Sequence, residues 1–350
     1  MGVGEWLQER TRVREAVAFL QRKEVPVHRF SLAYYTGGIT LFFFLLQVAT
    51  GLLLLLYYRP AADSAYESVR LITSRVQFGW LVRGIHAWSA NLMILAAWVH
   101  LAATFFTRAY RRPRELTWIS GVLLLVITLA FAFTGYLLPW NTLAFFATRV
   151  GTEIVGDLPG VGRALMVLLR GGEDVTEATL SRFFGIHVAI LPALTTILLG
   201  IHLTLVQIHG MSRPISVSPR GAEPFYPHFL LRDLMVWVVL LGVVAALATL
   251  APWPLGEKAD PLAPAPAGIR PEWYFLFMYQ TLRILPSRIL GVEGETAGVL
   301  AFAAGAVIVL LVPFLDVWAQ RERTHPAMTW VGAATLAFVV LMTLLAWWER

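Results

Sequence analysis

The chain has 350 residues, 57% of them hydrophobic and only 14% charged, with a net charge of +6. A soluble domain carries about 25% charged residues, so a water-soluble globule is excluded and much of the surface must face an apolar medium. No cysteine is present, which excludes disulfides, thiolate metal sites and any thioether-linked or cysteine-held prosthetic group.

In chain order, the first 30 residues are charged and lack an apolar core, so no cleavable signal peptide is expected. Seven runs without Asp, Glu, Lys or Arg follow: 31–58, 84–107, 116–148, 183–212, 234–256, 296–315 and 324–348. Each is near or above the roughly 20 residues that a helix needs to cross a hydrocarbon core. None alternates in the manner of a barrel strand. The expected fold is therefore all-α and integral to the membrane, with seven transmembrane helices.

The charges between the runs give an orientation. Arg10, Arg12, Arg14, Arg22, Lys23 and Arg29 precede the first run, and Arg108, Arg111, Arg112 and Arg114 separate the second and third. Arg213, Arg220 and Arg232 lie between the fourth and fifth, and Arg321 and Arg323 between the sixth and seventh. Seven spans put these four segments on one side. The positive-inside rule makes it the cytoplasmic one, with the C-terminus outside. That distribution explains the net charge without a nucleic-acid partner. The opposite loops mix both signs, and two of them are long, which makes the outer face the expected place for substrate and partners. The stretch Pro252–Pro271 is rich in Pro and Gly and reads as an ordered outer loop. Pro214, Pro219, Pro224 and Pro227 mark a division near residue 215, into a four-helix part (1–215) and a three-helix part (216–350).

Four histidines lie inside apolar runs. His86 and His100 are 14 residues apart, and His187 and His202 are 15 apart. At 100° and 1.5 Å per residue each pair returns to within about 40–60° of one face, about 21–22 Å further along the axis. Both helices run in the same direction, so His86 and His187 share one depth and His100 and His202 another. A single helix histidine usually just bonds a nearby carbonyl. Two matched pairs suggest instead two axial imidazoles for each of two haem irons. Zinc would lack its third and fourth ligands. Gly37 and Gly51 in the first run, and Gly121 and Gly135 in the third, repeat the 14-residue interval at matching depths. Close helix packing also uses glycine, but the repeat favours room for a flat group against helix backbone.

The loops carry a family resemblance over essentially the whole chain. Gly135-Tyr136-Leu137-Leu138-Pro139-Trp140, Pro271-Glu272-Trp273-Tyr274 and Arg112-Pro113-Arg114-Glu115-Leu116-Thr117-Trp118 resemble motifs of cytochrome b from the quinol-oxidising bc complexes. The last motif, the 15-residue interval and the seven runs resemble the chloroplast-type branch, here fused to a subunit IV-like C-terminal part. The resemblance implies a four-helix di-haem bundle, two non-covalent bis-histidine b haems and quinol as substrate. It implies a Rieske iron–sulfur protein and a membrane-anchored c-type cytochrome as partners, within a homodimeric complex in a bacterial cytoplasmic membrane. Quinol would be oxidised at the outer face. One electron would go to the Rieske protein and the other through the haems to an inner quinone site, contributing to a proton gradient.

The resemblance also assigns residues. Glu272 would take the quinol proton, with Tyr136 and Tyr274 beside it and Phe145, Phe146, Ala147, Pro271 and Trp273 around the ring. The inner quinone site would draw on Asp233, His209, Arg213 and His28. Arg114 would assist cofactor binding, and Arg83, one turn before His86, either binds a haem propionate or lies at the interface. The chain departs from the chloroplast-type pattern at Tyr35, where that branch has a cysteine holding an extra haem. It departs also at Asn141, in place of an acid, and at Ala103, in place of an arginine. A covalent c-type haem is not expected. The competing reading is a di-haem membrane anchor of a dehydrogenase or reductase, which accounts for the histidines but not for seven spans or Pro271–Tyr274.

Overall fold

The computed structural model describes residues 2–215, 217–218, 220–321 and 325–348. Pro219 and Arg323 lie outside these. Seven helices are long and apolar enough to span a membrane: Ser31–Leu55, Gly79–Phe106, Glu115–Leu137, Glu177–His209, Phe225–Leu250, Gly294–Leu315 and Pro326–Trp348. Their outward faces expose large apolar side chains such as Leu52, Ile197, Val238, Val239 and Trp330, the arrangement expected where lipid replaces water.

Each span corresponds to one charge-free run, but several ends move. The third span stops at Leu137, not at 148. Pro139 has no N–H to continue the ladder, Trp140 turns to a φ of +52°, and the Asn141 side chain accepts from Ala144 N at 2.9 Å to cap a separate helix, Thr142–Gly156. That helix packs Phe145 and Phe146 with Trp140, Leu137, Leu180 and Phe183 into a core beyond the span's end. A helix buried against protein and one facing lipid use the same apolar side chains, so absence of charge does not separate them. The fifth span ends at Leu250, not 256, and the second and fourth start earlier than their runs, at Gly79 and Glu177.

The spans alternate in direction. At the end where the first span begins, here the lower end, strand Glu24–Pro26 pairs antiparallel with Ala222–Pro224, and Arg111 reaches Ser212 Oγ at 3.2 Å. At the upper end the Pro-rich 252–271 stretch is a helix-free loop pinned at several points. Thr142 N donates to Glu257 O at 2.9 Å, Tyr66 Oη to Gly256 O at 2.9 Å, and Asn141 Nδ2 to Leu255 O at 2.8 Å.

The first and second spans pack along each other, as do the third and fourth, while the fifth lies against the second and first. The sixth is tied to the third by Trp118 Nε1 donating to Val309 O at 2.8 Å. Beneath it Tyr110 and Asp316, each 1% exposed, share a hydrogen bond of 2.7 Å. Arg108 Nε lies 3.4 Å from the same carboxylate, and its Nη2 donates to His325 O at 2.8 Å. This polar knot joins the second–third loop to both ends of the sixth–seventh connection. Asp316→Ala would strand a buried cation, which costs about 3–5 kcal/mol, whereas Tyr110→Phe removes one charge-assisted bond, about 1.5–3 kcal/mol. Thermal unfolding of the purified protein should rank the two variants in that order.

Candidate functional site

The upper and lower halves of the first four spans each hold two histidines. His86 lies within electrostatic reach of His187, and His100 of His202, which is the pairing that the intervals imply. His187 sits in a π-helical turn, Ile186–Ile190. Such a turn inserts one residue without advancing the face, so the interval of 15 in the fourth span is brought close to the 14 of the second.

The glycines lie where their depths required, but against the histidine rings. A Cβ added at Gly37 would stand 3.1 Å from His100 Cε1, at Gly51 3.4 Å from His86 Cε1, at Gly121 3.2 Å from His202 Cε1, and at Gly135 2.6 Å from His187 Cε1. Each glycine lets an imidazole edge close onto the neighbouring helix.

The residue before each glycine carries a hydroxyl, and all four hydroxyls meet an imidazole Nδ1. The distances are 2.9 Å from Thr36 to His100, 2.8 Å from Thr50 to His86, 2.9 Å from Ser120 to His202 and 3.2 Å from Thr134 to His187. Each hydroxyl spends its one hydrogen on a carbonyl of its own helix: Ala33, Leu46, Thr117 and Ala130, at 2.6–2.9 Å. Its oxygen must therefore accept from Nδ1–H. That leaves every Nε2 with a lone pair, and among the described residues no hydrogen bond to it is recorded. The sequence signal was a Thr or Ser directly before each of the four spaced glycines, which interval counting passed over. Gln47 adds a further hold, donating to His86 O at 2.7 Å and Ser89 Oγ at 2.6 Å.

Above the upper pair, Glu272 is hydrogen-bonded to Tyr136 at the end of the third span. Burial raises the Glu272 carboxyl above the ordinary range, partly offset by this bond. Tyr274 is buried, and burial first, then the nearby Glu272, raises its phenol. Trp273 Nε1 donates to Asn91 Oδ1 of the second span at 2.8 Å. Phe145 and Phe146 are both 3% exposed and stack edge-on in the upper core; Ala147 and Pro271 are partly buried. Arg83 donates to Trp253 O at 2.9 Å and Pro254 O at 3.2 Å, holding the upper loop.

At the lower end His28 Nε2 lies 2.7 Å from Tyr34 Oη, which donates to Ser212 O at 3.0 Å. Phe30 N donates to His28 Nδ1, so Nε2 carries the proton, and burial followed by Arg213 lowers the His28 pKa. Arg114 Nη2 donates to His209 O at 2.8 Å, and burial lowers the pKa of its guanidinium. Asp233, 8% exposed, lies against the backbone of Gly38, next to the glycine that faces His100. Tyr35 stacks on Phe229 with centroids 4.6 Å apart.

Two family models match the chain: "Cytochrome b/b6/petB" over residues 21–210 and "Cytochrome b(C-terminal)/b6/petD" over residues 258–350. A "Cytochrome bc complex cytochrome b subunit" from Chlorobaculum thiosulfatiphilum is 47% identical over 97% of this chain and 80% of its own length. "Cytochrome b6" of Heliobacterium mobile is 42% identical over 60% of this chain and 99% of its own. A solved "Hyperthermophilic respiratory Complex III" chain superposes with a TM-score of 0.87 at 33% identity, covering 98% of this chain and 91% of the other. Fold and relatives together define a multi-pass integral membrane subunit of an electron-transport oxidoreductase. The chain belongs to the cytochrome b family, as the cytochrome b subunit of a bc-type complex with its b6-like and subunit IV-like parts fused.

That family binds haem b, and the residues here fit it. Four partly buried imidazoles present Nε2 lone pairs, two at each depth, in apolar surroundings that suit low-spin haem. Among the described residues no group of three or more His, Cys, Asp or Glu could hold a bare metal ion. Gly135→Leu should push the His187 ring away and lower the haem b content. A dithionite-reduced difference spectrum at equal protein level tests this, and unchanged haem would mean that the close approach is dispensable.

Proposed function

We propose that this subunit oxidises quinol at its upper end and reduces quinone near its lower end, as part of a quinol–cytochrome c (or related acceptor) reductase. The observation that carries this reading is Glu272, a partly buried carboxylate on a phenol of the third span, in a loop tied to the helix that bears His86. The lower end holds the clustered cations, which supports its placement on the cytoplasmic side of a bacterial inner membrane, with the N-terminus inside. Residues 1–215 then form the histidine-bearing unit and 216–350 the unit that brings Pro271–Tyr274.

The chemistry follows from the side chains. Aromatic walls suit a flat quinol ring. The Glu272 carboxylate accepts the hydroxyl proton as electrons leave, and passes it to upper-face water. His86 with His187, and His100 with His202, would each ligate one haem b through Nε2, and the haems, when bound, would supply one-electron transfer between the two depths. Tyr136 orients Glu272 by its hydrogen bond. At the lower end Asp233, His209, Arg213 and His28 would bind quinone and deliver protons. Arg83, besides holding loop carbonyls, would bind a haem propionate or mark the membrane interface, and Arg114, besides holding a helix-end carbonyl, would assist cofactor binding. A Rieske protein would take the other electron and pass it to a membrane-anchored c-type cytochrome, in a homodimeric complex. With no cysteine, no covalent c-type haem is expected on this chain.

Glu272→Gln should slow quinol oxidation roughly 10²-fold or more, as expected for a lost general base, while both haem bands persist. Wild-type turnover would refute the role given to Glu272. The wild-type rate should rise with pH as Glu272 ionises, because the carboxylate is the acceptor. Since burial raises this group, the rise should be centred above the ordinary value of about 4.3 and vanish in the glutamine variant. His100→Leu should remove the lower haem alone; loss of the upper haem instead would reverse the pairing.

A further inference from the structure

Asn91 stands inside the second span, five residues after His86 and nine before His100. A polar amide at that depth is costly unless its groups are paired, and it usually marks function. Both sides of this amide are engaged. Oδ1 accepts from Trp273 Nε1 at 2.8 Å, and Nδ2 donates to Ala87 O at 3.0 Å. The orientation is forced, because an indole N–H can only donate and a carbonyl can only accept. The contact bridges 182 positions of sequence and joins the helix of His86 to the residue directly after Glu272. Trp273 in turn packs edge-on against Tyr274, with centroids 5.4 Å apart.

We propose that Asn91 is a positioning residue for the proton acceptor: by holding Trp273 it sets where the Glu272 carboxylate stands relative to the quinol and to the helix of His86. This rests on the role assigned to Glu272 above. Asn91 touches neither quinol nor haem in this role. Its effect is on the alignment of Glu272, and misplacement of about 1 Å at a reacting centre is enough to slow chemistry strongly.

The test uses the intact complex in membranes, with decylubiquinol and a short-chain menaquinol as probes. Asn91→Leu keeps the volume and removes the acceptor; Trp273→Phe removes the donor from the other side. Each should lower kcat roughly tenfold with KM within twofold, and leave the spectra and midpoint potentials of the b haems unchanged. The double variant should be no slower than the slower single one, because both changes break the same bond. Wild-type kcat in either single variant, or losses that multiply in the double variant, would overturn the proposal. If Asn91→Leu fails to assemble with haem, the smaller Asn91→Ala takes its place, because Trp273 also lies beside the quinol ring and its variant alone would not separate the two roles. Glu272→Gln measured alongside separates the two levels. If it is slow while Trp273→Phe is unaffected, only the positioning role falls. If it is unaffected, the role of Glu272 itself falls.

Discussion

The hydrogen bond from an imidazole Nδ1–H to a helix hydroxyl, made four times, is the interaction on which the rest of this protein depends. An imidazole in apolar surroundings must be neutral, and a neutral ring has one donor and one acceptor. Thr36, Thr50, Ser120 and Thr134 take the donor. Because each hydroxyl has already given its hydrogen to its own helix, the choice of tautomer is not free. In all four rings Nε2 is left as the nitrogen that keeps a lone pair. The glycine after each hydroxyl lets the ring approach closely enough for the bond to form. A Thr-Gly or Ser-Gly step, used at two depths on two helices, thus orients four donors in a medium that offers no water to correct a mistake.

The two parts of the chain meet through a second set of polar contacts, concentrated at the membrane's two edges and sparse between them. Above, Arg83, Trp88, Asn141 and Tyr66 bind backbone carbonyls of residues 251–256. Below, Tyr110 and Arg108 converge on Asp316. Trp118 with Val309 and Asn91 with Trp273 are the exceptions that reach within the spans. The upper contacts explain why a Pro-rich stretch without helix can present Pro271–Tyr274 in a defined place. Its backbone is bonded to side chains of the first four spans, so the loop inherits their rigidity. The same contacts give Arg83 and Asn141 a place in the fold. Asn141 both caps a helix and anchors the loop.

Much of this was legible in the residues. Charge is excluded from lipid, so the number of spans could be counted from the runs without Asp, Glu, Lys or Arg. Helical rotation is regular, so the pairing of the four histidines and the depth shared by each pair with two glycines followed from intervals. Less legible was whatever depends on a break in that regularity or on contacts between distant segments. The run 116–148 concealed a helix end and a new helix start across Pro139–Asn141. The interval of 15 concealed a π-helical turn at His187. The hydroxyls were adjacent to the glycines already noted, yet their role needed the antiparallel packing of first on second and third on fourth span to bring them to Nδ1.

The sequence by itself therefore determined the membrane class, the seven spans, the depth of each histidine and, with no cysteine, the lack of any thiol to form a thioether link. These depend on composition and on the fixed rise and rotation of a helix, which are local properties. Only the tertiary structure decided which imidazole nitrogen is free, which helix ends inside the upper core rather than in lipid, and how Glu272 is held. Those depend on hydrogen bonds between groups far apart in the chain, and their geometry exists only after the helices have packed.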